Sequence, residues 1–166
     1  MSPSKTHEQY ASLMDLLLHV WAWEWDIDIQ SCRTVTFKRE DLQRGLEPDN
    51  CYYVANEAVV RSKTELDLAV DPPPDLAIEI ELGGSGLDKL PLYAAFGVPE
   101  VWRFDGRILR LFVLGEDGRY QQRPSSLSFP NLSPAEMEKV LAQLGTASET
   151  ALVRSFRQWV QTQMPA

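Results

Sequence analysis

Glu79 and Glu81 stand two residues apart in the run Asp75-Leu76-Ala77-Ile78-Glu79-Ile80-Glu81-Leu82. Side chains alternate along a strand, so Leu76, Ile78, Ile80 and Leu82 share one face, and Asp75, Ala77, Glu79 and Glu81 share the other. Like charges at that spacing raise each other's pKa unless a positive group intervenes. A half-solvated sheet face is one reading of the pair; the sharper one puts a cation or a lysine between them. Lys89 is the candidate lysine. With Ser85 as the N-cap of a following helix, Lys89 lies four residues into it, and helical side chains lean back toward the N-terminus. Asp49, at the start of the β-rich run Asn50-Cys51-Tyr52-Tyr53-Val54, would face Glu79 across adjacent strands. Two carboxylates and a strand carbonyl, with Ile80 its candidate source, suit Mg2+, which takes hard oxygen ligands and keeps waters. Such a site supports attack of water on a phosphodiester, with the lysine orienting the water or offsetting charge in the transition state.

Other assignments compete with this one. Asp75 follows Pro74, but lies four residues before Glu79, roughly 13 Å away at strand rise. That is too far to share an ion, so Asp49 is preferred and Asp75 is expected at a strand start or turn. Glu79 and Glu81 could instead form a general acid/base pair on a substrate such as a glycoside, their Cα atoms about 7 Å apart. No sugar-stacking cleft is evident to support that. His7-Glu8 lacks the second histidine of a zinc-protease helix, and Gly83-Gly84-Ser85-Gly86 lacks phosphate-loop spacing. His19 reads as a packed or exposed helical histidine. Neither a nucleophile-elbow serine nor a Cys-His constellation is supported.

The elements that must position these residues follow from periodicity. A first helix, about Thr6 to Glu24, opens on the capping box Thr6-x-x-Gln9 and carries the stripe Leu13, Leu16, Leu17, Val20, Trp21. Trp21, Trp23 and Trp25 alternate, which suggests a change from helix to strand and packing in the core or at an interface. Short strands are predicted at Val35 to Phe37 and Asn50 to Val54, with a charged turn region over Lys38 to Gly45. Ala55 to Asp71 is ambiguous. The clearest strand is Asp75 to Leu82; Ser85-x-x-Asp88 then opens a helix to about Phe96, with Gly97 past its end. Val101 to Phe104 and Ile108 to Leu114 form a hairpin around Asp105-Gly106, and Arg119 to Arg123 adds a strand. Ser133-Pro134 caps a short helix, and an amphipathic helix spans about Ser148 to Thr162. This order implies an α/β or α+β fold with a central mixed sheet.

At 166 residues the chain fits one domain, 1–166, with C-terminal helices over about 134–163. Its content, 44% hydrophobic and 24% charged, is that of a soluble globular protein. No apolar run reaches membrane-span length and the first residues do not form a signal peptide, so a cytoplasmic location is expected. Cys32 and Cys51 read as reduced structural thiols. The net charge of −8 argues against nonspecific nucleic-acid binding over the whole surface, although a local basic strip is compatible with it.

The combination Asp49…Glu79-Ile80-Glu81…Lys89 resembles the PD-(D/E)XK nuclease superfamily, and within it the Uma2 family of restriction-endonuclease-like proteins. The likeness is carried by Thr36-Phe37…Arg39-Glu40-Asp41-Leu42 and Gly45-Leu46-Glu47-Pro48-Asp49. It continues through Pro74-Asp75-Leu76-Ala77-Ile78-Glu79-Ile80, Leu87-Asp88-Lys89-Leu90-Pro91-Leu92-Tyr93 and Gly97-Val98-Pro99-Glu100-Val101-Trp102. The resemblance implies a mixed sheet flanked by helices, Asp49 and Glu79 as ligands of Mg2+ or Mn2+, and DNA as substrate. The superfamily lysine normally stands two residues after the acidic ligand, where this chain has Glu81. The Uma2 pattern moves the lysine into the following helix, and Lys89 matches it. Glu81 is then a further ligand or the mark of a site that no longer cleaves. Glu8 is the nearest match to a first-helix glutamate common in the superfamily. Nucleases of this fold often act as dimers, so a homodimer through the Trp-rich end of the first helix or the last helix is an expectation. The leading reading is a metal-dependent DNA endonuclease. The alternatives are an inactive nuclease-fold module that binds nucleic acid or a protein partner, and the carboxylate-pair hydrolase.

Overall fold

The computed structural model describes residues 4–39, 44–84 and 86–166. The chain runs α1 (Lys5–Glu24), β1 (Gln30–Ser31), β2 (Phe37–Arg39), β3 (Arg44–Leu46), β4 (Asn50–Tyr53), α2 (Glu57–Val60) and β5 (Leu76–Ile80). It continues with α3 (Leu90–Phe96), β6 (Glu100–Phe104), β7 (Leu109–Leu114), β8 (Tyr120–Arg123), α4 (Pro134–Leu141) and α5 (Glu149–Gln163). Six strands form one sheet in the order β1-β4-β5-β6-β7-β8. The β5–β6 pair is parallel and the other pairs in this sheet are antiparallel. The result is the expected mixed sheet flanked by helices.

Alternation along β5 explains the two layers. Leu76, Ile78 and Ile80 join Trp102 and Phe104 of β6 in a core shared with Leu13, Leu17 and Trp21 of α1, Leu141 of α4 and Phe156 of α5. Ala77 and Val101 face the other way, into a second core with Cys51, Tyr93 and Phe96 of α3, and Phe37 and Leu46 of the β2–β3 hairpin. Every residue of β5 is buried. The half-solvated sheet face is therefore not what forms: α3 and the hairpin cover it, and Glu79 is only 3% exposed.

Local chemistry shifts several boundaries. Helix α1 starts at Lys5 because the Ser4 hydroxyl, not Thr6, caps it, accepting the His7 N–H at 3.2 Å. Its stripe is completed by Met14 and Leu18, while Leu16 is exposed. The helix carries through Glu24, past Trp21 and Trp23; Trp21 and Trp25 stack at 5.2 Å, and Trp23 projects outward, 80% exposed, beneath the Arg157 guanidinium. Strand β2 begins at Phe37 rather than Val35 and pairs Phe37 with Leu46, so a hairpin flanks what was expected to be a turn region. Residues 40–43 of that turn lie outside the described residues.

Helix α3 differs most. It begins at Leu90, with Lys89 at the N-cap position and Pro91 in its first turn. A helix opened at Ser85, a residue outside the described ones, would have put Pro91 in its interior, where proline removes an i→i−4 bond and clashes with the preceding turn. Pro91 is tolerated only in the first turn, so the helix starts late. Gly97 closes it in the left-handed conformation, φ 74°. Cys32 and Cys51 are free thiols, and no helix among the described residues is long and apolar enough to cross a membrane.

Candidate active site

The β4–β5 register pairs Asn50 with Ile78 and Cys51 with Ala77. One step further along the same register sets Asp49 against Glu79. The Asp49 Oδ2 accepts the Ile80 N–H at 2.8 Å, which fixes the carboxylate at the end of β5. Glu79 Oε2 accepts from Lys89 Nζ at 2.8 Å, and Glu79 Oε1 accepts from the buried Tyr93 hydroxyl. Lys89 reaches Glu79 from the N-cap position of α3 rather than from within a helix, so its approach is set by the short segment joining β5 to α3. Asp49, Glu79, Ile80, Glu81 and Lys89 all line one cleft of about 590 Å3.

Glu81 is on the same side but is held differently. Arg103 of β6 donates to it from Nε at 3.0 Å and from Nη2 at 2.8 Å. Glu8 does not line the cleft; its side chain is mostly exposed and its Oε1 lies 3.1 Å from His7 Nδ1. His7 is the first-helix residue that faces the site, its Nε2 3.2 Å from Asp49 Oδ2. Asp75 is at a strand start, where its two oxygens accept the Val54 N–H, the Asn56 N–H and the Asn56 side-chain amide. His19 is exposed, with Nδ1 2.8 Å from the Asp15 carbonyl.

Motif spacing alone does not single out His7, Tyr93 or Arg103. Each nevertheless leaves a trace. His7 lies four residues before Ala11 and seven before Met14, so it extends the buried stripe of α1. Tyr93 lies one turn after Lys89 and so shares its side of α3. Arg103 is a lone charge in the apolar strand Val101-Trp102-Arg103-Phe104, on the face that carries Val101.

The donor set fits a hard cation. Asp49 Oδ1 accepts no hydrogen bond from any described residue, and each Glu79 oxygen has lone pairs to spare beyond its one bond. Among the described residues, no three His, Cys, Asp or Glu side chains converge to hold an ion by themselves. Two carboxylates suit an ion of the Mg2+ type, which retains several waters, better than a tetrahedral zinc centre.

Burial pushes the Glu79 carboxyl above the usual carboxylate range; Lys89 and Tyr93 draw it back down, and the charge of Asp49 adds to the rise. A carboxyl raised in the folded state favours folding most below its unfolded pKa, and that contribution is lost as pH rises through the folded pKa. Gln at this position cannot ionise. In the presence of EDTA, the melting temperature of Glu79→Gln should therefore gain on that of wild type as pH is raised from about 4 to about 8. Added Mn2+ should raise the wild type only. Scanning fluorimetry across the pH range reads both effects, and a flat difference would mean that Lys89 and Tyr93 fully offset the desolvation.

Over residues 1–162 the chain matches the model of the family described as "Uma2: Putative restriction endonuclease". Among solved structures it is similar to the crystal structure of "a putative nuclease belonging to DUF820" from Anabaena variabilis ATCC 29413. That match has 16% sequence identity and a TM-score of 0.56, and covers 85% of this chain and 84% of the other. At such identity the likeness is one of fold. No curated protein matches the chain.

Proposed function

The chain belongs to the Uma2 family, and from that membership together with the geometry of the cleft we propose that it is a divalent-metal-dependent endonuclease cleaving DNA phosphodiester bonds. The observation that carries this reading is the convergence of Asp49, Glu79 and Lys89, from three separate segments, on one cleft. Asp49 and Glu79, with the Ile80 carbonyl, would hold Mg2+ or Mn2+, which supplies Lewis acidity toward the phosphate.

The chain's own residues do the positioning. The Ile80 N–H and His7 orient Asp49. Tyr93 and Lys89 orient Glu79 from opposite oxygens. The Lys89 side chain lines the cleft and is 41% exposed, so its ammonium can meet a non-bridging phosphate oxygen as negative charge grows in the transition state. Glu81 acts in this scheme as the counter-charge of Arg103 rather than as a metal ligand, since Arg103 binds both its oxygens.

Incubation of supercoiled plasmid with Mn2+ tests the proposal. Wild type should nick and linearise it, and Lys89→Ala should slow cleavage by about 100-fold, the loss typical of removing one transition-state charge partner. Metal should still bind that variant, at least as tightly as wild type, because Lys89 is not a ligand and competes for the Glu79 oxygen. Absence of cleavage by wild type on supercoiled, linear and single-stranded DNA with Mg2+ and with Mn2+ would overturn the enzyme and leave a nuclease-fold binding module.

A further inference from the structure

The cleft does not end at Glu81. That residue also lines two adjoining cavities, of about 250 and about 880 Å3. Gly84 is shared by the first and the largest, and Arg103 and Asp105 by the two beyond Glu81. Through these shared residues the three cavities adjoin one another in turn, from His7 past the C-terminal ends of β5 and β6 to the β6–β7 turn.

Arginines line this extension. Glu79 pairs in register with Arg103, and Arg103 with Arg110, so the three side chains form one row on one face of the sheet. At strand spacing the row spans about 10 Å, roughly three nucleotides at the rise of one DNA strand. Arg107, at the turn, lines the same extension and forms no ion pair among the described residues. The guanidiniums of Arg103 and Arg110 are held by carboxylates: Glu81 binds Arg103 through both oxygens, and Asp105 Oδ2 accepts from Arg110 Nη1 at 2.8 Å. Phe112 lies under Arg103, its ring centre 6.0 Å from Cζ. Both ion pairs are partly exposed, and pairs of that kind contribute little net stability. A phosphodiester offers a guanidinium the same two-oxygen geometry as a carboxylate.

We propose that Arg103, Arg107 and Arg110 are the seat for the DNA backbone flanking the phosphodiester at the Asp49–Glu79 cleft, and that Glu81 and Asp105 are resident anions that phosphates displace. The proposal rests on the endonuclease reading and extends it. It reconciles a net charge of −8 with a DNA substrate, because the cationic strip is masked by its own carboxylates until DNA arrives. Glu81 then serves to hold Arg103 aligned in the free protein.

Fluorescence anisotropy with a fluorescein-labelled DNA duplex in EDTA measures binding without cleavage. Arg107→Ala combined with Arg110→Ala should weaken binding by about tenfold and flatten the salt dependence by about two phosphate contacts. Glu81→Gln should tighten binding severalfold, because it removes the charge that binds Arg103 through both oxygens and leaves only the longer contact with Asp88, at 3.5 Å. Glu149→Gln, an equal loss of charge on α5 across the sheet, is the control and should shift affinity by less than about twofold. Wild-type cleavage together with wild-type affinity and salt slope in the double arginine variant would overturn the seat and leave the endonuclease reading intact. Equal tightening by Glu149→Gln and Glu81→Gln would overturn the displacement. Absence of both binding and cleavage by wild type would overturn the two readings together.

Discussion

Asp49→Asn is expected to weaken Mn2+ binding by more than about 100-fold and to lower plasmid cleavage by about three orders of magnitude, with little change in melting temperature. Asn has the size of Asp, and its amide oxygen can still accept the Ile80 N–H that Asp49 accepts at 2.8 Å. What it lacks is the charge. On the proposed reading the cleft would offer an ion two acidic ligands, so binding there would depend heavily on each carboxylate, and loss of Asp49 leaves Glu79 already engaged by Lys89 and Tyr93. Asp49→Ala should lose metal binding too, and in addition strand the Ile80 amide. Titration calorimetry with Mn2+ and a nicking assay read the two effects separately. Unchanged metal affinity in either variant would remove Asp49 from the site.

Glu100→Ala is expected to be the most damaging single change to stability away from the cleft. Glu100 is fully buried at the start of β6. Its Oε1 accepts the Trp102 indole N–H at 2.6 Å, and its Oε2 accepts the Leu127 and Ser128 N–H groups at 3.1 and 3.0 Å. The side chain thus ties the loop between β8 and α4 to the central sheet. Alanine leaves the buried Trp102 indole N–H and the two part-buried loop amides without their acceptor, and removing such a partner costs about 1–3 kcal/mol per buried stranded group and less where water can reach it. Allowing for water entering the gap, a loss of about 4 kcal/mol is expected, enough to lower the melting temperature of a chain this long by about 8–16 °C. Glu100→Gln keeps one acceptor oxygen and should lose roughly half as much. Urea unfolding of the three proteins checks this. A loss below about 1 kcal/mol in Glu100→Ala would mean the loop is held by Phe129 and Leu132 packing alone.

Most elements were legible because they are local. Alternation of apolar and polar residues marked β5, the Asp105-Gly106 turn marked the β6–β7 hairpin, and Ser133 and Ser148 marked the starts of α4 and α5; Ser133 accepts the cap bond expected of it, and Ser148 turns out to cap α5 in the same way. The late start of α3 was also present in the sequence, since Pro91 permits no earlier one, but the Ser85-x-x-Asp88 pattern competes with that signal. The Glu79–Glu81 pair was readable as a problem of charge. Its resolution was not, because the two carboxylates are answered by different cations on different elements, Lys89 before α3 and Arg103 on β6.

By itself the sequence determined the family and the mixed sheet, and it pointed to Asp49, Glu79 and Lys89, which the structure brings to one cleft, because these depend on residue types, spacing and short-range periodicity. The tertiary structure alone decided that Glu81 is matched to Arg103, that His7 rather than Glu8 meets Asp49, and that a row of arginines continues the cleft. Those contacts arise from strand register and from the docking of α1 against the sheet end. A parallel pairing such as Glu79 with Arg103 joins residues far apart in the chain. The register that brings them together is set by burial on both faces of β5 and β6, a property of the packed core that no local pattern encodes.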